Sequence, residues 1–303
     1  MGNTSKIEWT DKTWNPIRGC SMVSAGCANC YAMKQAHRFS GMGRPYENLT
    51  EVGPKGPRWN GNIRMVPGEL KAPMTWKNPC RVFVNSMSDL FHDDVPDSFI
   101  DQVMQAMANT KRHTYQVLTK RPERMMDYLA GWWRRCYRSF ETGESIPVDP
   151  CPHIWFGVSV ENQETADERI TLLLQTPAAV KFLSCEPLLG PIDLAMALEP
   201  FHSHDPMLNR NVAPVQWAIV GGESGPGARP CDVAWIRSIK DQCKAADVPV
   251  FIKQLGAKPY QSPEDDGGTG YELSMKDRKG GDWNEWPEDL RVREFPTKGA
   301  RHE

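Results

Sequence analysis

The feature that most constrains the fold is a regular alternation of short apolar runs with helix-like segments, which begins near residue 80. The runs are rich in Val, Ile, Leu and aromatic residues, and most are followed by apolar residues at helical spacing. They are RVFVNSMSDLF (81–91), TYQVLTK (114–120), HIWFGVSVEN (153–162), VKFLSCEPLLG (180–190), VQWAIVGGESG (215–225) and VPVFIKQLG (248–256). Because strands separated by helices pair in parallel, the sequence predicts an α/β fold with a parallel sheet and crossover helices.

Each apolar run ends in polar or small residues, such as Asn85-Ser86, Thr119-Lys120 and Lys253-Gln254. The carboxyl ends of parallel strands line the ligand site in barrels and open α/β sheets, so this recurrence predicts one site built from successive strand ends. The alternative is that strand ends are polar simply because they meet solvent.

The remaining segments break the alternation. Residues 40–79 and 131–152 are interpreted as insertions into a domain that spans residues 1–256. Residues 257–303, rich in Gly, Pro and charge, are interpreted as an irregular C-terminal extension, either a loosely ordered tail or a cover.

Charge and targeting signals narrow the function classes. The formal net charge of -2 excludes a global basic field, so any nucleic-acid binding has to come from a local patch. No stretch of 18 apolar residues occurs, and the N-terminus lacks a signal-peptide core. We expect a cytoplasmic protein with no membrane partner, in which nine cysteines favour metal or redox chemistry over a disulfide framework.

Three cysteines lie close together in GCSMVSAGCANCYAMKQAHRF, just before a helix predicted at about residues 28–39. Cys20, Cys27 and Cys30 form a Cys-x6-Cys-x2-Cys motif. Three thiolates from one loop can ligate three irons of a [4Fe–4S] cluster and leave the fourth iron open. The alternatives are a zinc site, for which His37 is an available fourth ligand, and buried cysteines without a metal.

Several motifs carry a resemblance to known families. TDKTWNPIRGC, CANCYA, SCEPLLGPIDL, WAIVGGESGPGARP and FIKQLG, within residues 7–256, resemble the phage-associated three-cysteine-motif family. The cysteine loop followed by βα repeats is also similar to radical S-adenosylmethionine (SAM) enzymes and, more distantly, to spore photoproduct lyases, which act on DNA thymines. The spacing departs from the commonest Cys-x3-Cys-x2-Cys of radical SAM enzymes, and Asn29 replaces the usual aromatic residue.

The resemblance implies a partial (β/α) barrel of the radical SAM type, a [4Fe–4S] cluster and SAM as cofactors, and an electron donor such as a flavodoxin or ferredoxin. Cys20, Cys27 and Cys30 would ligate the cluster, and SAM would chelate the open iron. The cofactor contacts implied at the strand ends are Asn85, Ser86, Ser88, Ser159, Glu161, Asn162, Gly221, Gly222 and Glu223.

Three further residues are candidates for catalysis. On the barrel interpretation Cys185 faces the centre of the site, where its thiol could donate a hydrogen atom to a substrate radical. The alternative is a small buried hydrophobe. Glu186, in an apolar strand end, is expected to have a partner, and Lys253 is a candidate for that partner.

A local basic segment runs from Lys111 to Arg138, with eight basic and two acidic residues, a net charge of +6. Trp132, Trp133 and Tyr137 interleave with it. Arginines beside aromatic rings suit a phosphate backbone with unstacked bases, and the alternative is a solvated helix face with its aromatics in the core. The predicted nucleic-acid contacts are Lys120, Arg121, Arg124, Arg134 and Arg135.

The function predicted from these features is that of a radical SAM enzyme. It would cleave SAM to methionine and a 5′-deoxyadenosyl radical and act on a nucleic-acid base, as in DNA repair of the spore photoproduct lyase kind or thymine modification. The alternatives are a zinc-stabilised nucleic-acid-binding module and a phage protein that holds a partner protein around a structural cluster.

Overall fold

The predicted alternation forms a seven-stranded parallel sheet in a computed structural model. The structure describes residues 5–54, 56–136, 151–199, 201–202, 211–212, 214–263 and 270–296, without the side chains of 133–136, 201–202 and 211–212. The strands are β1 (Lys12–Trp14), β2 (Arg81–Val84), β3 (Thr114–Thr119), β4 (Ile154–Ser159), β5 (Val180–Cys185), β6 (Trp217–Gly221) and β7 (Val250–Gln254). The predicted fold class, a partial (β/α) barrel with parallel strands, is confirmed.

The strands lie side by side in chain order, from β1 to β7. Thr13 pairs with Phe83 between β1 and β2, and Phe83 pairs with Gln116 between β2 and β3. Ile219 of β6 pairs with Ser184 of β5 on one side and with Phe251 of β7 on the other. Strands buried on both faces read as continuous apolar runs, which is why the sequence pattern located them.

The helices also lie close to their predicted positions. They are α1 (Tyr31–Arg38), α2 (Asp97–Ala108), α3 (Pro122–Cys136), α4 (Gln163–Gln175) and α5 (Val233–Ala245), with single-turn helices at Ala72–Thr75 and Ala195–Leu198. α2 buries Phe99, Ile100, Val103 and Met107, which share one face at helical spacing. No helix in the described part of the chain has the length and apolar content to span a membrane, and the cytoplasmic location stays a prediction.

The chain divides into two compact units. The first comprises Met1–Gly157 and Thr176–Val180, and the second comprises Val158–Gln175 and Lys181–Glu303. In the first unit, the predicted insertion at 40–79 contains an antiparallel pair, Thr50–Gly53 with Gly56–Trp59. Leu49 and Trp59 of this region pack against Met33 and Ala36 of α1. The insertion therefore supports the helix that follows the cysteine loop.

In the second unit, the described part of the C-terminal extension packs along β7. Val292 accepts a hydrogen bond from Ile252 N (3.0 Å), and Gly280 accepts one from Leu255 N (2.9 Å). The Arg293 guanidinium lies 5.3 Å from the Trp286 ring centre and donates to the Lys253 carbonyl (3.1 Å). The described part of the segment contacts β7, and its interpretation as a C-terminal extension with a boundary at residue 256 stays a prediction.

Candidate functional site

The cysteine loop is fixed to the carboxyl end of β2. Gly19, just before Cys20, forms a parallel bridge with Ser88, and its φ of 93° lies in the left-handed region. A Cβ at this glycine would overlap the Asn62 carbonyl oxygen, so only glycine allows this approach. Further along the loop, the Tyr31 hydroxyl donates to the Ser86 carbonyl (2.8 Å). The loop is thus held at the strand end at two points.

The three thiols of the loop interact electrostatically. Burial raises the pKa of Cys20 to about 12; the Asp89 carboxylate adds to the effect, as do the nearby Cys30 and Cys27. Burial also raises the pKa of Cys30, while the backbone N–H groups at the start of α1 and the charge of Lys120 oppose the increase. Despite the nearby Arg121 and Lys120, the pKa of each thiol is raised, so Cys20 and Cys30 are neutral thiols at physiological pH when no metal is bound.

Arg121 links the cysteine loop to the ends of β2 and β3. Its guanidinium donates to Ser21 Oγ (2.7 Å) and to the buried Asp89 carboxylate (3.2 Å), and its charge also acts on Cys20. Asp89 accepts further hydrogen bonds from Thr119 Oγ1 (2.8 and 2.9 Å), and from the Phe91 and Lys120 backbone N–H groups. The Arg121 charge lowers the pKa of Cys20, but the Asp89 carboxylate raises it by more, so the ion pair does not favour the Cys20 thiolate.

His92 completes this network. The backbone N–H of Asp94 donates to His92 Nδ1 (3.2 Å), so Nε2 carries the ring proton and donates to Ser21 Oγ (2.8 Å). Burial and the charge of Arg121 lower the pKa of His92, which keeps the ring neutral. Ser21 Oγ therefore accepts from two fixed donors.

Asn85 is the polar residue at this end of β2 whose side chain lacks a partner in the described part of the chain. The residue is 2% exposed, and neither its Oδ1 nor its Nδ2 has a hydrogen bond. Its φ of 60° is a left-handed conformation, which asparagine adopts more readily than most residues. A buried carboxamide without partners costs free energy, so a ligand or ordered water is expected to satisfy it.

Ser86 and Ser88, by contrast, are engaged within the fold. The Ser86 hydroxyl donates to Asn15 Oδ1 (3.2 Å), and the Ser88 hydroxyl donates to the Ile17 carbonyl (2.8 Å). These bonds tie β2 to the segment that leads into the cysteine loop. Their predicted contacts to a cofactor stay predictions.

The three thiols of the loop are soft donors of the kind that both zinc and iron–sulfur clusters take. In the described ranges, no group of three or more His, Cys, Asp or Glu side chains is arranged to hold a metal ion. A tetrahedral zinc ion needs its ligand atoms about 2.0–2.3 Å from one point, whereas a [4Fe–4S] cluster takes each cysteine on a different iron. The three thiols would supply soft donors for such a cluster, and the charge of Lys120 acts on Cys30.

In the second unit, the predicted cofactor contacts after β4 are occupied by partners within the chain. Arg169 donates to the Glu161 carboxylate (3.2 and 3.3 Å) and to the Ser159 carbonyl (2.7 Å), and both charged side chains are almost fully buried. Asn162 Oδ1 accepts from the Thr165 N–H (3.1 Å), which caps the start of α4. These residues hold the β4–α4 turn, and their contacts to SAM stay predictions.

The predicted cofactor contacts Gly221, Gly222 and Glu223, at the end of β6, have neighbours within the chain, and their contacts to a cofactor stay predictions. The Gly222 N–H donates to the Gln254 carbonyl (3.1 Å), and a Cβ on Gly222 would overlap the Leu255 carbonyl. A Cβ on Gly221 would lie 2.7 Å from Glu186 Oε1, so the Glu186 side chain would have to shift. The Glu223 carboxylate accepts from Arg229 (2.5 and 2.9 Å). This turn is glycine-rich because strands and side chains approach closely there.

Glu186 and Lys253 form the expected ion pair, with 3.0 Å between Nζ and Oε1. Cys185 has no exposed surface, and burial raises its pKa well above the ordinary value, with a contribution from Cys243 on α5. Cys185 therefore lies near a helix thiol, in the surroundings of a small apolar side chain, and differs from the expectation that it faces an open site. Hydrogen donation by Cys185 and catalysis by Glu186 and Lys253 stay predictions.

The predicted nucleic-acid contacts divide into three groups. Arg121 is occupied by Asp89 and Ser21, and Arg124 donates to the His92 and Val95 carbonyls and to Asp97 (3.2 Å). These two arginines therefore hold the start of α3 rather than present free charge. Lys120 is half-buried beside Cys30. The side chains of Arg134 and Arg135, as well as Trp133, lie outside the described residues.

Trp132 is buried instead of forming an exposed stacking surface. It is 7% exposed and stacks on Tyr128, with 6.2 Å between the ring centres and 20° between the planes. The apolar face of α3 accounts for this position, because Tyr128 and Trp132 are four residues apart and share one side of the helix. The position of Trp132 matches the alternative interpretation of the basic segment, in which its aromatic residues belong to the core.

Comparison with known proteins gives a family for the chain. A model of the family described as "Protein of unknown function (DUF5131)" matches residues 4–287. The chain belongs to the DUF5131 family. No curated protein matches it.

Two solved structures are similar to this DUF5131 protein. Spore photoproduct lyase complexed with dinucleoside spore photoproduct gives a TM-score of 0.42 at 10% identity, covering 91% of this chain and 72% of that chain. A cysteine-to-serine variant of spore photoproduct lyase gives a TM-score of 0.38 at 11% identity, with the same coverage. The link of this DUF5131 protein to phages and to a three-cysteine-motif family stays a prediction.

Sequence reasoning about this DUF5131 protein missed the buried partners of its charged residues. Asp89, His92 and Arg169 carried no motif, and Arg121 was interpreted as a phosphate contact. Asp89 follows a strand in an apolar stretch, which is a signal that a carboxylate needs a partner. The sequence has no signal for which of the 36 Lys and Arg residues supplies it.

Proposed function

We propose that this DUF5131 protein is an iron–sulfur enzyme of the radical SAM type that acts on a base in nucleic acid. The observation that carries the proposal is the loop of three thiols held at the carboxyl end of β2, the strand that the unpaired Asn85 carboxamide directly follows. A purely structural cluster would need the thiols but gives no reason for an unsatisfied buried carboxamide at the end of the strand that holds the loop.

Cys20, Cys27 and Cys30 would hold the cluster. When bound, the cluster supplies the electron that cleaves SAM to methionine and a 5′-deoxyadenosyl radical, with a flavodoxin or ferredoxin as the proposed donor. The charge of Lys120 lowers the pKa of Cys30, which favours its thiolate. Asn85 offers one acceptor and two donors to the amino and carboxylate groups of SAM.

Metal analysis of anaerobically purified protein tests the proposal. We expect iron and acid-labile sulfide in the wild type, an electron paramagnetic resonance signal of the reduced protein that changes on adding SAM, and 5′-deoxyadenosine as a product. Cys20→Ala, Cys27→Ala and Cys30→Ala should each lose the cluster, whereas Cys151→Ala, a half-exposed cysteine outside the loop, should retain it. Bound zinc without sulfide would replace the proposal with the zinc-stabilised module, and a cluster that never responds to SAM would leave a structural role.

The nucleic-acid part of the proposal rests on the net charge of +6 between Lys111 and Arg138. We expect Arg134→Ala with Arg135→Ala to weaken binding to many DNA sequences about equally and to reduce the dependence on salt, because phosphate contacts position without specifying sequence. Arg278→Ala with Lys279→Ala, an exposed basic pair elsewhere, is the matched control. The affinity for single- and double-stranded oligonucleotides, measured at two salt concentrations, gives both the binding loss and the salt dependence. An equal loss of affinity in the two double variants would refute a specific nucleic-acid-binding patch.

A further inference from the structure

A cysteine and a histidine meet at the amino ends of β2 and β3, away from the cysteine loop. Cys80 directly precedes β2 and His113 directly precedes β3. The Thr114 N–H donates to the Cys80 carbonyl (3.0 Å), which continues the ladder between the two strands and makes the residues neighbours. Cys80 Sγ lies 3.3 Å from His113 Nδ1, within hydrogen-bond distance for sulfur.

The surroundings of His113 fix its tautomer. Nε2 lies 3.1 Å from the Pro73 carbonyl oxygen, which can only accept, so Nε2 carries the proton and Nδ1 offers its lone pair to the thiol. Burial lowers the pKa of His113, so the ring is neutral. The edges of Trp76 (5.7 Å) and Tyr115 (6.1 Å) confine it. A nucleophile, a base and a group that orients the base are thus in place.

The charges around the pair are mainly positive. Arg112 donates to the Pro73, Met74 and Trp76 carbonyls, and Lys12 lies 5.4 Å from the Trp76 ring centre. Burial raises the pKa of Cys80 and the carboxylate of Asp11 adds to it, whereas Lys12 and Arg112 favour the thiolate. Asp11 is itself paired with Arg81 (3.1 Å).

Access differs between the two side chains. His113 is 1% exposed, whereas Cys80 is half-buried, in a stretch where residues 77–79 are exposed. The thiol is therefore reachable from solvent while its base is shielded. A small molecule with negative charge would be attracted by Lys12 and Arg112 as it approaches the sulfur.

We propose that Cys80 and His113 form a thiol–imidazole pair that makes Cys80 a site of reversible exchange with small anionic disulfides. The Cys80 thiol transfers its proton to His113 Nδ1, and the thiolate attacks one sulfur of the disulfide. The disulfide bond breaks as the new S–S bond to Cys80 forms, and the leaving thiolate takes the proton from His113. Cys80 is oxidised to a mixed disulfide and one equivalent of thiol is released, so the disulfide itself is the oxidant.

The test compares the folded protein with its own unfolded chain. Reduced protein is exposed to glutathione disulfide near neutral pH, and the modification of Cys80 is followed by peptide mass spectrometry, with Cys151 as the reference thiol. A positioned base makes Cys80 react faster in the folded protein than in urea, whereas a cysteine that is merely buried reacts more slowly when folded. Slower reaction in the folded state would overturn the proposal, and this comparison needs no variant to fold.

Two variants separate the parts of the site. We expect His113→Gln to slow the modification of Cys80 by about tenfold or more. An increase of one unit in the pKa of the thiol lowers its thiolate fraction about tenfold, and the thiolate is the reactive form. Lys12→Gln should slow the reaction with glutathione disulfide but leave that with neutral hydroxyethyl disulfide unchanged. An unaltered rate in a folded His113→Gln variant would show that the imidazole is not the base, and equal effects on both disulfides would remove the anionic preference.

Discussion

The Arg169→Met variant should lose about 3–5 kcal/mol of unfolding free energy, because it leaves the Glu161 carboxylate buried without its partner. Both side chains are less than 5% exposed, so water cannot replace the lost interaction. Arg169 also donates to the Ser159 carbonyl, and the variant leaves that acceptor unpaired as well. Urea unfolding followed by circular dichroism measures the loss.

The double variant Arg169→Met with Glu161→Leu is the matched control for this result. Removing both charges eliminates the uncompensated ion, and replacing a buried pair by apolar residues is often neutral. We therefore expect the double variant to regain most of the stability that each single variant loses. If both single variants were as stable as the wild type, the pair would be no more than a weak surface contact.

The second large effect is expected at Asp89, where an Asp89→Asn substitution should destabilise the protein by about 3 kcal/mol and loosen the cysteine loop. The carboxylate accepts from Thr119, Phe91, Lys120 and Arg121, and an amide would turn two N–H groups towards these donors. The Arg121 charge would then be buried without its counter-ion, and its bond to Ser21 Oγ would weaken.

Two measurements follow this change. Urea unfolding gives the free energy, and the rate at which iodoacetamide alkylates Cys20 in metal-free protein reports the loop, which we expect to react faster. Asp11→Asn is the control, because its pair with Arg81 is half-exposed and contributes at most about 1 kcal/mol. If Asp89→Asn reduced stability without changing the alkylation of Cys20, Asp89 would support the sheet but not the loop.

The positions of the strands and helices, and one of the ion pairs, could be predicted from the sequence. The run at 153–162 contains β4 at Ile154–Ser159, and the helix predicted at about 28–39 is α1 at Tyr31–Arg38. The Glu186–Lys253 ion pair could be predicted because both residues lie at the carboxyl ends of predicted parallel strands. Parallel strands and their ends leave a periodic, local signal in the sequence.

The other contacts depend on three-dimensional neighbours that no local pattern records. Arg169 comes eight residues after Glu161, and its role is set by how α4 turns back onto β4. Cys80 and His113 are 33 residues apart and meet because adjacent strands begin at the same edge. Trp132 was interpreted as a base-stacking residue because the sequence of a helix with charged and aromatic residues does not show which face is buried.

The close approach of Gly19 to the Asn62 carbonyl has a consequence for how this family can diversify. Any side chain at position 19 would push the 60–65 segment away from the entrance of the cysteine loop. That segment pairs with the chain just before the loop, Ile17 with Met65 and Arg18 with Arg64. The region at 40–79 is therefore not a freely exchangeable appendage: lengthening or deleting it would have to preserve the backbone at Asn62, and position 19 tolerates one amino acid.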